Sequence, residues 1–175
     1  MIHDCPWSWR HALRADLDAY HLTPLQALGH AALLQTVGIN FLYRASHILS
    51  TRHHSLLAQL FKSLIFGLWS ADISPRACLG EGLTIAHSSG IVIGGEVIVG
   101  KHCEIFSSVV LGGRNRTAPD GRTMPKIGDD VVITTSAAIL GPVIVGSGSV
   151  IGAHAIILTD VPAGSTIKGV WKRRN

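Results

Sequence analysis

Charge is scarce in this chain of 175 residues: Asp, Glu, Lys and Arg together make up 15%, against 47% hydrophobic residues. So apolar a composition excludes a disordered protein, and so lean a surface implies a homo-oligomer with apolar area covered between subunits. Cysteine is scarcer still. Cys5, Cys78 and Cys103 are odd in number and lack metal-ligand spacing, which argues for free thiols in a reducing cytoplasm. The start, MIHDCPWSWRH, lacks the basic and apolar regions of a signal peptide, so export is not expected. A basic patch is missing as well: the net charge of +4 is scattered except at Lys172, Arg173 and Arg174, which gives nucleic acid no footprint. Residues 24–43 lack Asp, Glu, Lys and Arg over a bilayer's length. Gln26, His30, Gln35 and Asn40 break that apolar surface, so no transmembrane segment is expected.

What is present falls into two periods. Ser8 before WRHALRADLDAY suits a helix start, and Thr23-Pro24-Leu25-Gln26 sets a capping hydroxyl, a first-turn proline and a glutamine in order. Helices at 8–20 and 24–36 follow. Leu42, Ala45, Ile48 and Leu49, then Leu56, Leu57, Leu60, Leu64 and Ile65, recur at spacings of three and four and predict two more helices with apolar faces. This half is rich in histidine, at 3, 11, 21, 30, 47, 53 and 54. None shows the i, i+4 pairing of a helical zinc site, so no metal is expected.

After Ser70 the period becomes six. Ile127, Ile133, Ile139, Val145, Ile151 and Ile157 form one series; four residues further on stand Val131, Ala137, Val143, Ser149, Ala155 and Val161. Ile93, Val99, Ile105 and Leu111 keep the step, and so do Ile73, Leu79 and Ile85 after a two-residue slip around Gly90. Six residues rotate a helix by about 600°, which would scatter these positions around the cylinder. A coil of short strands aligns them. Three hexapeptides make one triangular turn with the aliphatic residue inward, each coil pairing with the next. The fold class is therefore mainly β, a parallel β-helix of hexapeptide repeats at 71–175 with an N-terminal α-helical cap at 1–70 and an inserted loop at 112–126.

ADISP, AHSSGIVIG, SSVVLGG, PKIGDDVVI and ILGPVIVGSGSVIGA resemble the hexapeptide-repeat acyltransferases, and among them the serine acetyltransferase branch. The resemblance implies a left-handed β-helix, a hand the usual crossover rule would not give. It also implies acetyl-CoA as acyl donor and a homotrimer, possibly paired as a dimer of trimers. His87 falls on the family's general base and Asp72, fifteen residues earlier, on the carboxylate that orients it. His102 and His154 match no motif. An alcohol near neutral pH is a weak nucleophile, and an imidazole with an ordinary pKa of ~6.5 can take its proton and return it to the departing CoA sulfur. By the same likeness, backbone at Gly113, Thr135 and Ala153 lines the groove for the pantetheine arm, and loop 112–126 leans over a neighbouring subunit. Lys126 and Lys168 either meet the CoA phosphates or sit solvated.

The family's amino-acid clamp is missing. An aspartate before the histidine and an Arg-His pair in the loop are replaced by Ala86, Thr123 and Met124. A charged substrate left unpaired in a closed site is costly. The residues therefore predict an acetyl-CoA-dependent O-acetyltransferase whose acceptor is a sugar, glycan or other non-serine alcohol. Serine, with a carboxylate reached by Arg114, Arg116 or Arg122, is the alternative; a non-catalytic trimeric binding protein is the second.

Overall fold

Two-residue strands hold together only if every coil finds its backbone partners in the coil above or below. That requirement organises the molecule. The computed structural model describes residues 9–20 and 35–172. Three helices come first: α1 (Trp9–Ala19), α2 (Gln35–Thr51) and α3 (Ser55–Trp69). The first coil follows as β1 (Asp72–Ile73), β2 (Cys78–Leu79) and β3 (Thr84–Ile85), the second as β4 (Val92–Ile93), β5 (Ile98–Val99) and β6 (Glu104–Ile105). The third is β7 (Val110–Gly112), β8 (Lys126–Ile127) and β9 (Val132–Ile133), and the fourth β10 (Ala138–Leu140), β11 (Ile144–Val145) and β12 (Val150–Ile151). Above them come β13 (Ile156–Ile157) and β14 (Thr166–Ile167), and then β15 (Val170–Trp171), which stacks on β13 and starts a further turn.

Every pairing is parallel, and the strands stack as three faces of a left-handed β-helix: β1-β4-β7-β10-β13-β15, then β2-β5-β8-β11, then β3-β6-β9-β12-β14. Both six-residue series point inward. Ile73, Leu79, Ile85, Ile93, Val99, Ile105, Leu111, Ile127, Ile133, Ile139, Val145, Ile151 and Ile157 are buried, and so are Val131, Ala137, Val143, Ala155 and Val161. Ser149, the polar member of the second series, is fully buried; its hydroxyl donates to the Pro162 carbonyl at 3.1 Å and accepts from Ser165 N at 3.3 Å. One prism edge is a glycine column, because adjacent coils touch there. A methyl on Gly100 would lie 2.6 Å from the Gly128 carbonyl oxygen, and one on Gly80 would strike the Gly100 carbonyl. His102 and His154 sit at corners with φ of 52° and 57°, the left-handed backbone that Ser108, Asp130 and Ser136 adopt at equivalent turns.

The lower end of a β-helix exposes a row of unpaired backbone groups, and here the helices satisfy them with side chains. Tyr20 Oη accepts from Ile85 N at 2.7 Å. Asn40 donates to Leu83 O at 2.7 Å, Tyr43 donates to Ala77 O at 2.7 Å, and Leu79 N donates to Tyr43 Oη at 3.3 Å. Arg44 donates to the carbonyls of Leu79 and Gly80 and pairs with Asp16 through Nε at 3.0 Å and Nη2 at 3.1 Å. Asp16 in turn accepts from Leu83 N at 3.0 Å. Burial pushes the Asp16 carboxyl above its ordinary range while Arg44 pulls the other way, and burial lowers His47, whose Nδ1 meets Pro75 O.

The helices depart from the expected faces in one respect. Leu56, Leu57, Leu60 and Leu64 are 86%, 48%, 62% and 45% exposed, whereas Ala58 and Ile65 turn inward. Spacing identifies an apolar face but not which of two such faces meets the coil. The helix expected at 24–36 lies outside the described residues save for its last two positions. The expectation of three free thiols fails at Cys78, which is disulfide-bonded; Cys103 is free and buried, its thiol pushed up to about 11 by that burial. No helix among the described residues is long and apolar enough to cross a membrane.

Breaking the Asp16–Arg44 pair from one side leaves a buried charge unpaired and two carbonyls without donors. Arg44→Ala should therefore lose about 3–5 kcal/mol of stability in urea unfolding. A loss below about 1 kcal/mol would refute this account of the cap.

Candidate active site

The candidate site begins at the corner between β3 and β4. Six residues, 86–91, make this turn, where four, 94–97, suffice between β4 and β5. Gly90, with φ of 74°, donates from its N–H to Ser70 O at 2.9 Å, tying the corner to the coil start below. Ser108 N donates to Ser89 O at 2.8 Å and ties it to the corner above. Held at both levels, the longer turn bulges. Ser88 folds inward to 1% exposure with no partner for its hydroxyl among the described residues, and His87 stands outward and exposed. His87 makes no hydrogen bond or ion pair among the described residues.

The same prism edge carries the other predicted corner residues. Ser136 N donates to Ser107 O at 2.9 Å, and His154 N to Thr135 O at 3.0 Å, so the corners holding His87, Ser107, Thr135 and Ala153 rise one above another. At ~4.8 Å per coil, Thr135 stands roughly 10 Å above His87 and Ala153 roughly 14 Å. We call this the ascending edge. Small residues at 135 and 153 leave room for a linear ligand running up it.

Asp72 opens β1, directly beneath β4: Asp72 N donates to Ile91 O at 2.8 Å, and Asp72 registers with Val92. One oxygen of its carboxylate meets α3. Lys62 Nζ lies 2.7 Å from Asp72 Oδ1, and no hydrogen bond or ion pair joins Asp72 to His87. Sequence reasoning missed Lys62 altogether. It is the sole charged residue of SLLAQLFKSLIFGLW, a signal that was open to reading.

Gly113, Thr123 and Met124 belong to a different edge. The loop between β7 and β8 leaves the corner from the first face to the second, and Met124 folds back against the core beside Gly94 and Gly113. Thr123 donates from its hydroxyl to Glu96 at 3.1 Å, and Glu96 also meets Arg76 at 3.4 Å. Asp120 and Arg122 clasp the loop tip: Arg122 Nε donates at 2.6 Å, which holds the Asp120 carboxyl below its usual range, while Arg122 Nη1 is buried without an acceptor among the described residues. Beside them opens a cleft of about 620 Å³ lined by Arg114, Arg116, Arg122, Leu140, Pro142 and Leu158, among others. One full side of the prism, about six extended residues or roughly 20 Å of chain, separates this edge from His87. The structure thus brings His87, Ala86, Thr135 and Ala153 to one edge and Gly113, Thr123 and Met124 to another. Lys126 is exposed on the second face, and Lys168 is exposed just past β14.

No protein-family model matches the chain. Aligned over 139 residues, it is 37% identical to the serine acetyltransferase of Helicobacter pylori (strain ATCC 700392 / 26695), covering 78% of this chain and 80% of that one. The chain belongs to the serine acetyltransferase family. Solved members of that family superpose on it closely. The Neisseria gonorrhoeae serine acetyltransferase in complex with serine matches with a TM-score of 0.80 at 32% identity, covering 92% of this chain and 66% of that one. The serine acetyltransferase of Brucella abortus strain S19 in complex with coenzyme A matches with a TM-score of 0.81 at 32% identity, covering 94% and 66%. The chain spans about half the length of longer curated relatives that it matches. These likenesses overturn the expectation of a sugar or other non-serine acceptor. The chain lies among serine acetyltransferases, one of them solved with serine bound, and the changed residues 86, 123 and 124 do not move it out of that family.

Met124 pins the loop through packing against two glycines. Met124→Ala should speed amide hydrogen exchange across 114–123 several-fold and leave the β-strands protected. Unchanged exchange would show that the Asp120–Arg122 clasp alone holds the loop.

Proposed function

We propose that the protein transfers the acetyl group of acetyl-CoA to the hydroxyl of serine, with His87 as general base. The observation that carries this reading is an exposed, unpartnered imidazole at the foot of a ladder of small corner residues, in a chain of the serine acetyltransferase family. The pantetheine arm runs along the ascending edge past Ala153 and Thr135 and brings the thioester down to His87. The imidazole accepts the serine hydroxyl proton as the oxygen attacks the thioester carbonyl. The tetrahedral adduct then expels the CoA thiolate, which recovers that proton from the imidazolium. Asp72 orients the ring through its other nitrogen.

Serine brings an ammonium and a carboxylate to a site where Ala86, Thr123 and Met124 offer neither charge. Arg114 and Arg116 carry no ion pair among the described residues, and Arg122 keeps one buried donor unpartnered. We assign the carboxylate to this arginine group. Since the loop lies a prism side away from His87 in its own chain, it reaches a base only on a neighbour. The reading therefore includes a homotrimer with composite sites, the cap at 1–70 and the coil at 71–175 being its two units and loop 112–126 the bridging element. Lys126 and Lys168 are candidates for the CoA phosphates, and a cytoplasmic setting suits the donor.

Release of CoA from acetyl-CoA with serine, followed with a thiol reagent, tests the reaction. His87→Ala should lower turnover by roughly 10²–10⁴-fold with little change in CoA binding. Serine-dependent release no greater in the native protein than in His87→Ala would sink the proposal. The composite site has its own test. His87→Ala chains refolded with chains carrying a deleted loop tip should regain activity that neither has alone, and two inert parents giving an inert mixture would place base and loop in one subunit.

A further inference from the structure

Lys62 is placed against the logic of its helix. A surface helix ordinarily turns its apolar stripe to the core and its charges to water. In α3, Ala58, Lys62 and Ile65 fall at i, i+4 and i+7 and so share one face; Ile65 is 0% exposed in the core it shares with the coil, and Ala58 is 2% exposed, its carbonyl accepting from Ser46 of α2. The one charged residue in fifteen is thus aimed inward, while Leu56, Leu60, Leu64 and Leu68 face outward. What it reaches is the carboxylate of Asp72, 2.7 Å away.

We propose that Lys62 is a positioning residue for the acetyl transfer, acting on His87 through Asp72. It holds Oδ1 of Asp72, which leaves the second carboxylate oxygen for the His87 ring. This fixes the carboxylate that must accept from the His87 ring. Its positive charge offsets the carboxylate, so that Asp72 orients the ring without trapping it as an imidazolium, the form that cannot accept a proton. The proposal rests on the general-base reading of His87. Few other charges compete at this spot. From α1 comes the neutral hydroxyl of Tyr20 at Ile85, Asp16 is committed to Arg44, and the corner above, Phe106-Ser107-Ser108, brings no charge.

Lys62→Met keeps the length of the side chain and removes its charge. In a partly solvated setting, a lost unit charge coupled to His87 through Asp72 should move the acid limb of the kcat/KM profile upward by roughly 0.5–1 pH unit. The KM for acetyl-CoA should not change, and Lys62→Arg should restore the limb. In an Asp72→Asn background, Lys62→Met should have no further effect, because its route to His87 is gone. A limb that stays in place in Lys62→Met, or moves equally with and without Asp72, overturns the proposal.

A second readout does not depend on turnover: imidazole NMR signals of His87, identified by their loss in His87→Gln, followed through an acid titration. A midpoint raised in Lys62→Met and returned in Lys62→Arg supports the coupling even if serine proves not to be acetylated, in which case only the reaction assignment falls. An unmoved midpoint ends the proposal whether or not serine is acetylated.

Discussion

The open lower end of the first coil is the constraint on which the rest depends. Every other coil receives its backbone partners from a neighbour that repeats it, but the first has nothing of its own kind beneath. Unpaired backbone groups buried under a cap are costly, and a bare strand row invites the wrong partner. Tyr20, Asn40, Tyr43 and Arg44 close that row, with Asp16 fixing the arginine and accepting from Leu83 N. The helices are thus more than an attached module. Their register against the coil is set by hydrogen bonds to specific backbone atoms between Pro75 and Ile85.

That docking has a consequence for the chemistry above it. Because α2 and α3 are seated on the first coil, α3 passes beside β1, and Lys62 meets Asp72. Tyr20 similarly grips Ile85, two residues before His87. On the general-base reading of His87, the site lies where cap and coil meet, since Lys62 and Tyr20 of the helices contact the coil residues Asp72 and Ile85. The long turn at 86–91 and the loop between β7 and β8 lie on two edges of the prism, one carrying His87 and the other Arg114, Arg116 and Arg122.

Periodicity carried most of the fold in legible form. Six-residue spacing of Ile, Val and Leu fixes which side chains point inward, since nothing but a coil of that pitch aligns them, and all thirteen first-series residues are buried. The outward stance of His87 was legible for the opposite reason, as a polar residue at a slip in the pattern. Three things were not. The inward turn of Ala58 and Ile65 depends on tertiary contacts that a helix with two apolar faces cannot announce. The Cys78 disulfide depends on spatial proximity, which counting cysteines does not reveal. The acceptor was misread because absent charges at 86, 123 and 124 were given more weight than the family the motifs define; missing partners describe how a substrate is held, which is a weaker constraint than which substrate is held.

Consider finally where the fold tolerates extra chain. Residues 113–125 lie between β7 and β8, yet Ile98 still registers with Lys126, and Val99 with Ile127, as though nothing had been added. The two additional residues at 86–91 likewise leave Asp72 under Val92 and Ile73 under Ile93. Length at a corner is decoupled from alignment on a face, since each face counts only strands. Such a scaffold separates two kinds of variation: residues on the faces answer to the interior, whereas corners can lengthen, shorten or change composition with the interior left as it was. New acceptor pockets can be tried at the vertices of this prism without repacking its centre.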